Sequence, residues 1–484
     1  MSAAFETLAR RAGDAELLRF TTAGDVDSGK STLLGRLLHD CQAVYEDQVA
    51  AVRNGAINRS HGEMDFALLL DGLRAEREQG ITIDVAYRYF SSPKRRFLIA
   101  DTPGHEQYTR NMATGASHAD AAVVVIDAGE GLRPQSRRHI LLAHLLGLRE
   151  IVAVINKMDR LGFSREGFAA LRDEAADFAR RLGVASFHAL PASAVEGDNV
   201  AHRGARMPWY SGPTLLELLE TLPIVGRAAT RPLRLPVQLV IRPDGEFRGL
   251  AGPIASGRLR AGQYVAILPG GQTARIERIV AYEGDLAEAA APAAVTVTLD
   301  RDLDVGRGAI LADPEAPPIV ARRFLARVAW FGEQPLRAGD WLLLKLSTQL
   351  VRARAARIRH RLRLDDLAHE PVAALAANEI GEVEWQAAAP LAFDPYQDNP
   401  ATGALLLIDP QSNATAGLGM IAAALDRRES GGERPRHPVQ AWLAASENEA
   451  AEIERQLAAA GVATRRIAAG TVVLVRDEPE TEQI

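Results

Sequence analysis

Gly24-Asp25-Val26-Asp27-Ser28-Gly29-Lys30-Ser31 is the stretch that decides the fold. It matches the pattern G-x-x-x-x-G-K-[ST], follows an apolar lead over 17–23, and runs into a helical stretch opened by Thr32. In such a loop the two glycines let the backbone wrap a β-phosphate with its N–H groups. The lysine places a point charge on the β- and γ-oxygens, and the last hydroxyl ligates Mg²⁺. The helix that follows turns its positive end toward the phosphates.

Outward from the loop, short apolar runs at 97–100, 121–126 and 151–155 predict buried strands, and helices are predicted from near Pro134 and Ser164. Alternation of this kind builds βαβ units around a mainly parallel sheet. It stops around 225–236, where Arg231, Pro232 and Pro236 read as a linker. Short strands broken by Gly and Pro follow in two stretches separated by Asp-Pro-Glu-Ala-Pro-Pro, and each reads as a small β-barrel. After a polar second linker, a helix opening at a capping box of Ser446 and Glu449 is predicted between a strand-like run at 439–443 and the runs at 463–467 and 471–475.

The base is read further along. Asn156-Lys157-Met158-Asp159 stands at the end of a predicted strand, where an open α/β sheet places its ligand contacts. A carboxylate at Asp159 accepts two hydrogen bonds, from the N1–H and 2-amino groups of guanine, and adenine lacks that pair. The Lys157 stem can lie along the base, and the Ala194 N–H of Ser193-Ala194 can reach the guanine carbonyl. Asp101-Thr102-Pro103-Gly104 ends another strand. Asp101 can hold Mg²⁺ through water there, and the Gly104 N–H can sense the γ-phosphate. Gly80-Ile81-Thr82 supplies a hydroxyl, on Thr82, to close the Mg²⁺ shell in the triphosphate state, and both segments are ones that γ-phosphate orders. His105, directly after the Gly104 sensor, is expected to orient the attacking water. The expected nucleotide contacts are Gly24 through Thr32, Asp101, Gly104, Asn156, Lys157, Asp159, Ser193 and Ala194, with Ser31, Thr82 and Asp101 toward the metal.

The expected architecture is an α/β phosphate-loop GTPase domain over 17–224, β-barrels over 232–315 and 318–426, and a small α/β appendage over 437–484. The 484 residues are too many for one core. A net charge of −6 does not mark a general polyanion binder, and one cysteine, Cys41, excludes a disulfide framework or a multi-Cys metal site. The N-terminus lacks an apolar signal region and no run reaches membrane-span length, so a cytoplasmic location is expected. Lys and Arg total 56, yet only Lys30, Lys94, Lys157 and Lys345 are lysines. Two of these four stand at nucleotide positions, and a compact ammonium suits a crowded phosphate loop better than a planar guanidinium.

Longer strings carry a resemblance. Residues 76–90 and 99–117, with Asn156-Lys157-Met158-Asp159, resemble the translation-factor class of GTPases. Within that class, the stretches at 84–97, from Trp209, from Pro236, at Asn378 and from Pro390 are similar to the GTPase subunits of bacterial sulfate adenylyltransferase. The resemblance spans about 17–421. It implies a subunit that hydrolyses GTP while a separate catalytic subunit joins sulfate to ATP, giving adenosine 5′-phosphosulfate and pyrophosphate. It also implies that Val26 and Ile81 form an apolar gate controlling the access of His105 to water. A fused kinase would need a second phosphate loop, and no second match occurs in the sequence.

The rival reading is a factor that delivers charged tRNA. Its support is a predicted strand in which Arg357, Arg359, Arg361 and Arg363 share one face. The strings in the second barrel favour the sulfate role, and neither nucleic acid nor membrane is expected as a partner.

Overall fold

Two strands, β4 (Ala121–Asp127) and β5 (Glu150–Asn156), are buried along their whole length. Their sequences read as continuous apolar runs because helices cover both faces of a parallel sheet. The sheet has six strands in the order β2-β3-β1-β4-β5-β6, with β1 at Leu17–Gly24, β2 at Ala86–Ser91, β3 at Arg96–Asp101 and β6 at Ser186–Pro191. Every pairing is parallel except β2 with β3. Among the described residues five helices accompany it: α1 (Lys30–Asp40), α2 (Thr109–Ala116), α3 (Pro134–Leu145), α4 (Arg165–Leu182) and α5 (Leu215–Thr221). The start of α4 is set by Ser164, whose hydroxyl accepts the Gly167 N–H at 3.1 Å. Thr214 and Glu217 form a reciprocal capping box on α5. Caps of this type stabilise a helix by about 1 kcal/mol.

The computed structural model describes residues 16–43, 66, 84–105, 109–224, 228–243, 247–282, 284–426, 441–443, 464–466 and 472–475. Ile81 and Thr82 lie outside the described residues. The chain divides into two units, Met1–Asp426 and Arg427–Ile484.

After the GTPase fold, an eight-stranded antiparallel sheet encloses the core built on Leu235, Val265, Ile276 and Val297. Its first strand is Arg234–Pro236, so the end of the segment read as a linker is already barrel. In the next barrel, strands Trp341–Leu346, Ala404–Ile408, Thr415–Ala424, Ile319–Trp330, Ile380–Phe393 and Gln349–Leu362 pair in sequence, and the last pairs back with the first. Trp385, Phe324 and Phe393 fill its interior.

The barrels are locked together. The Arg234 guanidinium, 4% exposed, donates from Nε and Nη2 to the two Asp394 oxygens, each at 2.9 Å. The second barrel also rests on the GTPase fold, where Ala329 and Ile380 join the cluster of Ile140, Leu141 and Phe178. The Tyr396 hydroxyl donates to the Leu146 carbonyl, at the end of α3, at 2.9 Å.

The arginine strand differs from expectation. Register shifts at Ala355/Arg357 and Ile358/His360 pair Arg357 with Glu384 but Arg361 with Gly381, an odd offset on the partner strand. Each slip of one residue exchanges faces, so Arg357 and Arg361 point to opposite sides. Arg359 meets Glu384 at 2.8 Å, Arg361 meets Glu370 at 2.6 Å as well as Glu379, and Arg363 pairs with Asp366. The expected basic stripe is therefore a set of ion pairs.

In the unit Arg427–Ile484, strands Ala441–Leu443, Val472–Val475 and Thr464–Arg466 form a small antiparallel sheet in that order. The helix expected to open at Ser446 lies outside the described residues.

Candidate nucleotide site

The carboxyl ends of β1, β3, β4 and β5 deliver Gly24, Asp101, Asp127 and Asn156 to one edge of the sheet. That is where parallel α/β sheets bind ligands. From β1 the chain turns through the loop into α1, whose first turn carries Lys30, Ser31 and Thr32. Helical geometry leaves the first N–H groups without intrahelical partners, and they face the space above the loop.

The loop is braced by its own groups. The Asp25 carbonyl accepts from the Ser28 hydroxyl at 2.8 Å and from the Ser28 N–H at 3.3 Å, and the Asp25 carboxylate accepts the Val26 N–H at 2.8 Å. Gly29 sits at φ 87°, and a Cβ there would stand 2.4 Å from the Asn156 amide nitrogen, so both the turn and the close approach require glycine. Lys30 is 7% exposed, and its ammonium donates to the carbonyls of Gly24 at 3.0 Å and Asp25 at 2.7 Å. Burial pulls its pKa down to about 8, against the opposing pull of Asp101, Asp25 and Asp27. Parked on two carbonyls, this cation gains most from phosphate oxygens. Gly104 closes against it, since a Cβ there would lie 2.2 Å from the Lys30 Nζ. The Gly104 backbone is thus within reach of whatever Lys30 binds.

The segments expected to read guanine meet the loop through one side chain. Asn156, 1% exposed, donates from Nδ2 to the Ser28 carbonyl at 2.9 Å and accepts the Ala194 N–H on Oδ1 at 3.0 Å. Ser193 donates its hydroxyl to the Asp159 Oδ1 at 2.8 Å, which aims that carboxylate. Lys157, at φ 61°, extends its ammonium to the Asp27 carbonyl, so its stem crosses above the loop. Three sequence-distant pieces are therefore one site.

Asp127 was not anticipated. It is 8% exposed and accepts the Lys157 ammonium at 2.9 Å, the Arg160 guanidinium at 3.2 Å and the Gly129 N–H at 2.9 Å. It is the last residue of β4, as Asp101 is of β3, and that placement was the available signal. Thr22 was also missed, although its hydroxyl donates to the Asp101 Oδ1 at 2.8 Å.

Toward a metal, the described residues offer the Ser31 hydroxyl, for which no protein hydrogen bond is found among them, and Asp101, 3% exposed. Two hard oxygen donors beside a phosphate cradle suit Mg²⁺, which keeps phosphate oxygens and waters in the rest of its shell. No group of three or more His, Cys, Asp or Glu able to hold a metal occurs among the described residues. Val26 is 38% exposed at the mouth of the loop, and His105 is exposed directly after Gly104. Among the described residues no helix is long and apolar enough to cross a membrane.

Residues 15–224 match the family described as elongation factor Tu GTP binding domain, and 323–422 match GTP-eEF1A C-terminal domain-like. Sulfate adenylyltransferase subunit 1 of Citrobacter koseri is 49% identical over 415 residues, covering 85% of this chain and 87% of that protein. The protein of the same name from Aeromonas hydrophila is 48% identical over 84% of this chain and 86% of its own length. The bifunctional enzyme NodQ of a Rhizobium strain is 49% identical over 86% of this chain, which spans only 64% of that longer relative. A solved structure of sup35 complexed with GDP is 24% identical, with a TM-score of 0.39 and coverage of 85% of this chain and 95% of its own. With close to half of all positions shared along most of both chains, this protein belongs to the sulfate adenylyltransferase subunit 1 family.

Proposed function

We propose that this chain is the GTP-hydrolysing regulatory subunit of a cytoplasmic sulfate adenylyltransferase. It couples GTP hydrolysis to the formation of adenosine 5′-phosphosulfate and pyrophosphate, from ATP and sulfate, on a separate catalytic subunit. The observation that carries the nucleotide reading is the Asn156 bracket, which fixes the Ser28 end of the phosphate loop to Ala194 beside the Asp159 carboxylate. That bracket joins a loop suited to phosphates to a carboxylate suited to a base, which supports the reading.

In this reading Gly24 through Thr32 cradle the phosphates. Asp159 accepts from the N1–H and 2-amino groups of guanine, the Ala194 N–H donates to its carbonyl, and Lys157 covers the base. Ser31, Thr82 and, through water, Asp101 would hold Mg²⁺, which when bound would supply charge neutralisation to the phosphates. Lys30 leaves the Gly24 and Asp25 carbonyls for the phosphates, and Gly104 contacts the γ-phosphate. His105 orients the water that attacks the γ-phosphorus, giving GDP and inorganic phosphate, while Val26 and Ile81 gate its approach. Forming a phosphosulfate anhydride is strongly uphill, so coupling it to a hydrolysis cycle through the segments around Thr82 and Gly104 is a physically reasonable purpose for a GTPase. The ion pairs of Arg359, Arg361 and Arg363 weigh against an RNA-delivering role.

The purified chain tests this reading. It is expected to bind GTP and GDP in preference to adenine nucleotides and to form no phosphosulfate alone. His105→Ala should retain GTP affinity and hydrolyse at least tenfold more slowly, in line with about 10²–10⁴-fold for a positioned acid–base group. Unchanged turnover would reassign the role of His105.

A further inference from the structure

One buried titratable side chain at the site has no place in the mechanism above. His139, in the middle of α3, is fully buried, and its Nδ1 lies 2.9 Å from the Gly24 N–H, 115 residues away in sequence. A peptide N–H can only donate, so Nδ1 is the acceptor and the ring proton is on Nε2. Beyond Nε2, at 3.0 Å, stands the Gln135 side-chain amide nitrogen, while the amide oxygen accepts from the Arg138 guanidinium, so the Gly24 N–H is the contact that sets the tautomer. Burial, and after it the charges of Lys30 and Arg138, push the imidazole pKa down to about 3, so the ring stays neutral. The helix is pinned at its far end by the Tyr396 hydroxyl on the Leu146 carbonyl.

Gly24 is thus held from both sides of one residue. Its N–H is given to His139, and its carbonyl receives the Lys30 ammonium. We propose that His139 is a positioning residue of the nucleotide site, fixing the first peptide of the phosphate loop so that Lys30 and the loop N–H groups stand ready for phosphate. This rests on the nucleotide reading above and adds to it a residue that touches no ligand. Without the acceptor, the Gly24 N–H is buried and unpaired, the loop relaxes to rescue it, and nucleotide binding must restore the cradle.

The test compares the full chain with His139→Leu and His139→Asn, whose side-chain oxygen can occupy the Nδ1 position. The Kd for GDP should rise roughly tenfold or more in His139→Leu, the scale of one buried unsatisfied N–H, and return to within about threefold of wild type in His139→Asn. Turnover at saturating GTP should change far less than KM, because the ring contacts no reacting atom. In the unmodified protein, nitrogen NMR of the imidazole should report an unprotonated Nδ1 and a protonated Nε2, constant from about pH 5 to pH 9. That measurement decides the geometry even where His139→Leu fails to fold. Wild-type GDP affinity in a folded His139→Leu protein, or a ring protonated on Nδ1, would overturn the proposal alone. A wild-type chain that binds no guanine nucleotide would overturn the broader reading with it.

Discussion

Replacing Asn156 by alanine removes one side chain that two buried backbone groups depend on. The Ser28 carbonyl loses its 2.9 Å donor and the Ala194 N–H loses its 3.0 Å acceptor, at a position 1% exposed. Each unpaired buried group costs about 1–3 kcal/mol, so the pair amounts to roughly 2–6 kcal/mol, less whatever the loop recovers by shifting toward water. The apolar clusters on both faces of the sheet stay intact, so the protein should fold with reduced stability. In the proposed binding mode the nucleotide needs the phosphate loop and the Ser193-Ala194 segment in register, so much of the loss should appear in affinity. At the lower end of the range, the Kd for GDP rises roughly 30-fold. Asn156→Asp sharpens the test, since it keeps the acceptor for the Ala194 N–H but turns a carboxylate oxygen toward the Ser28 carbonyl, and it should bind no better than the alanine variant. Titration of a fluorescent ribose-labelled GDP at fixed Mg²⁺, beside urea unfolding of each variant, measures both effects. A folded Asn156→Ala protein with GDP affinity within about twofold of wild type would refute the bracketing role.

Two further outcomes follow from buried charges. Lys30 has its free-state pKa lowered from 10.5 to about 8, and bound phosphate raises it again, so nucleotide affinity should be flat below pH 8 and weaken above it, by up to about tenfold per pH unit. The guanine N1–H ionises in alkali as well. Pyrophosphate competition between about pH 7 and pH 9 isolates the Lys30 effect, and a constant affinity across that window would contradict it. At the barrel interface, Arg234→Ala strands the Asp394 carboxylate, 9% exposed, with only the Thr402 hydroxyl at 2.6 Å remaining as a side-chain partner among the described residues, and should destabilise by about 3–5 kcal/mol. Arg234→Met with Asp394→Leu should recover most of that loss in denaturant unfolding, and no recovery would mean that packing dominates at this contact.

The phosphate loop and Asn156-Lys157-Met158-Asp159 were legible because their chemistry needs fixed residue types at fixed spacing, and the sheet was legible because β4 and β5 are apolar throughout. Asp127 was less so. An aspartate closing an apolar run resembles any strand end until the fold sets Lys157 against it. His139 gave no signal at all, since a lone histidine on a helix says nothing about a partner 115 residues away. The Arg234–Asp394 lock spans 160 residues and depends on how two barrels dock. The arginine face was misread because each bulge exchanges the faces of a strand, and no residue type in 351–363 marks where the slips fall. Thr82 was read from the string Gly80-Ile81-Thr82 and Ile81 from the family resemblance, and both lie outside the described residues.

The central claim is that GTP turnover in this chain drives sulfate activation by another. Sulfate-dependent exchange of pyrophosphate into ATP, measured on this chain mixed with its catalytic partner, with and without GTP, tests it most directly. GTP should stimulate the exchange, and the stimulation should be lost in His105→Ala while GTP still binds. Exchange that is indifferent to GTP, from a chain that nonetheless binds and hydrolyses it, would contradict the account.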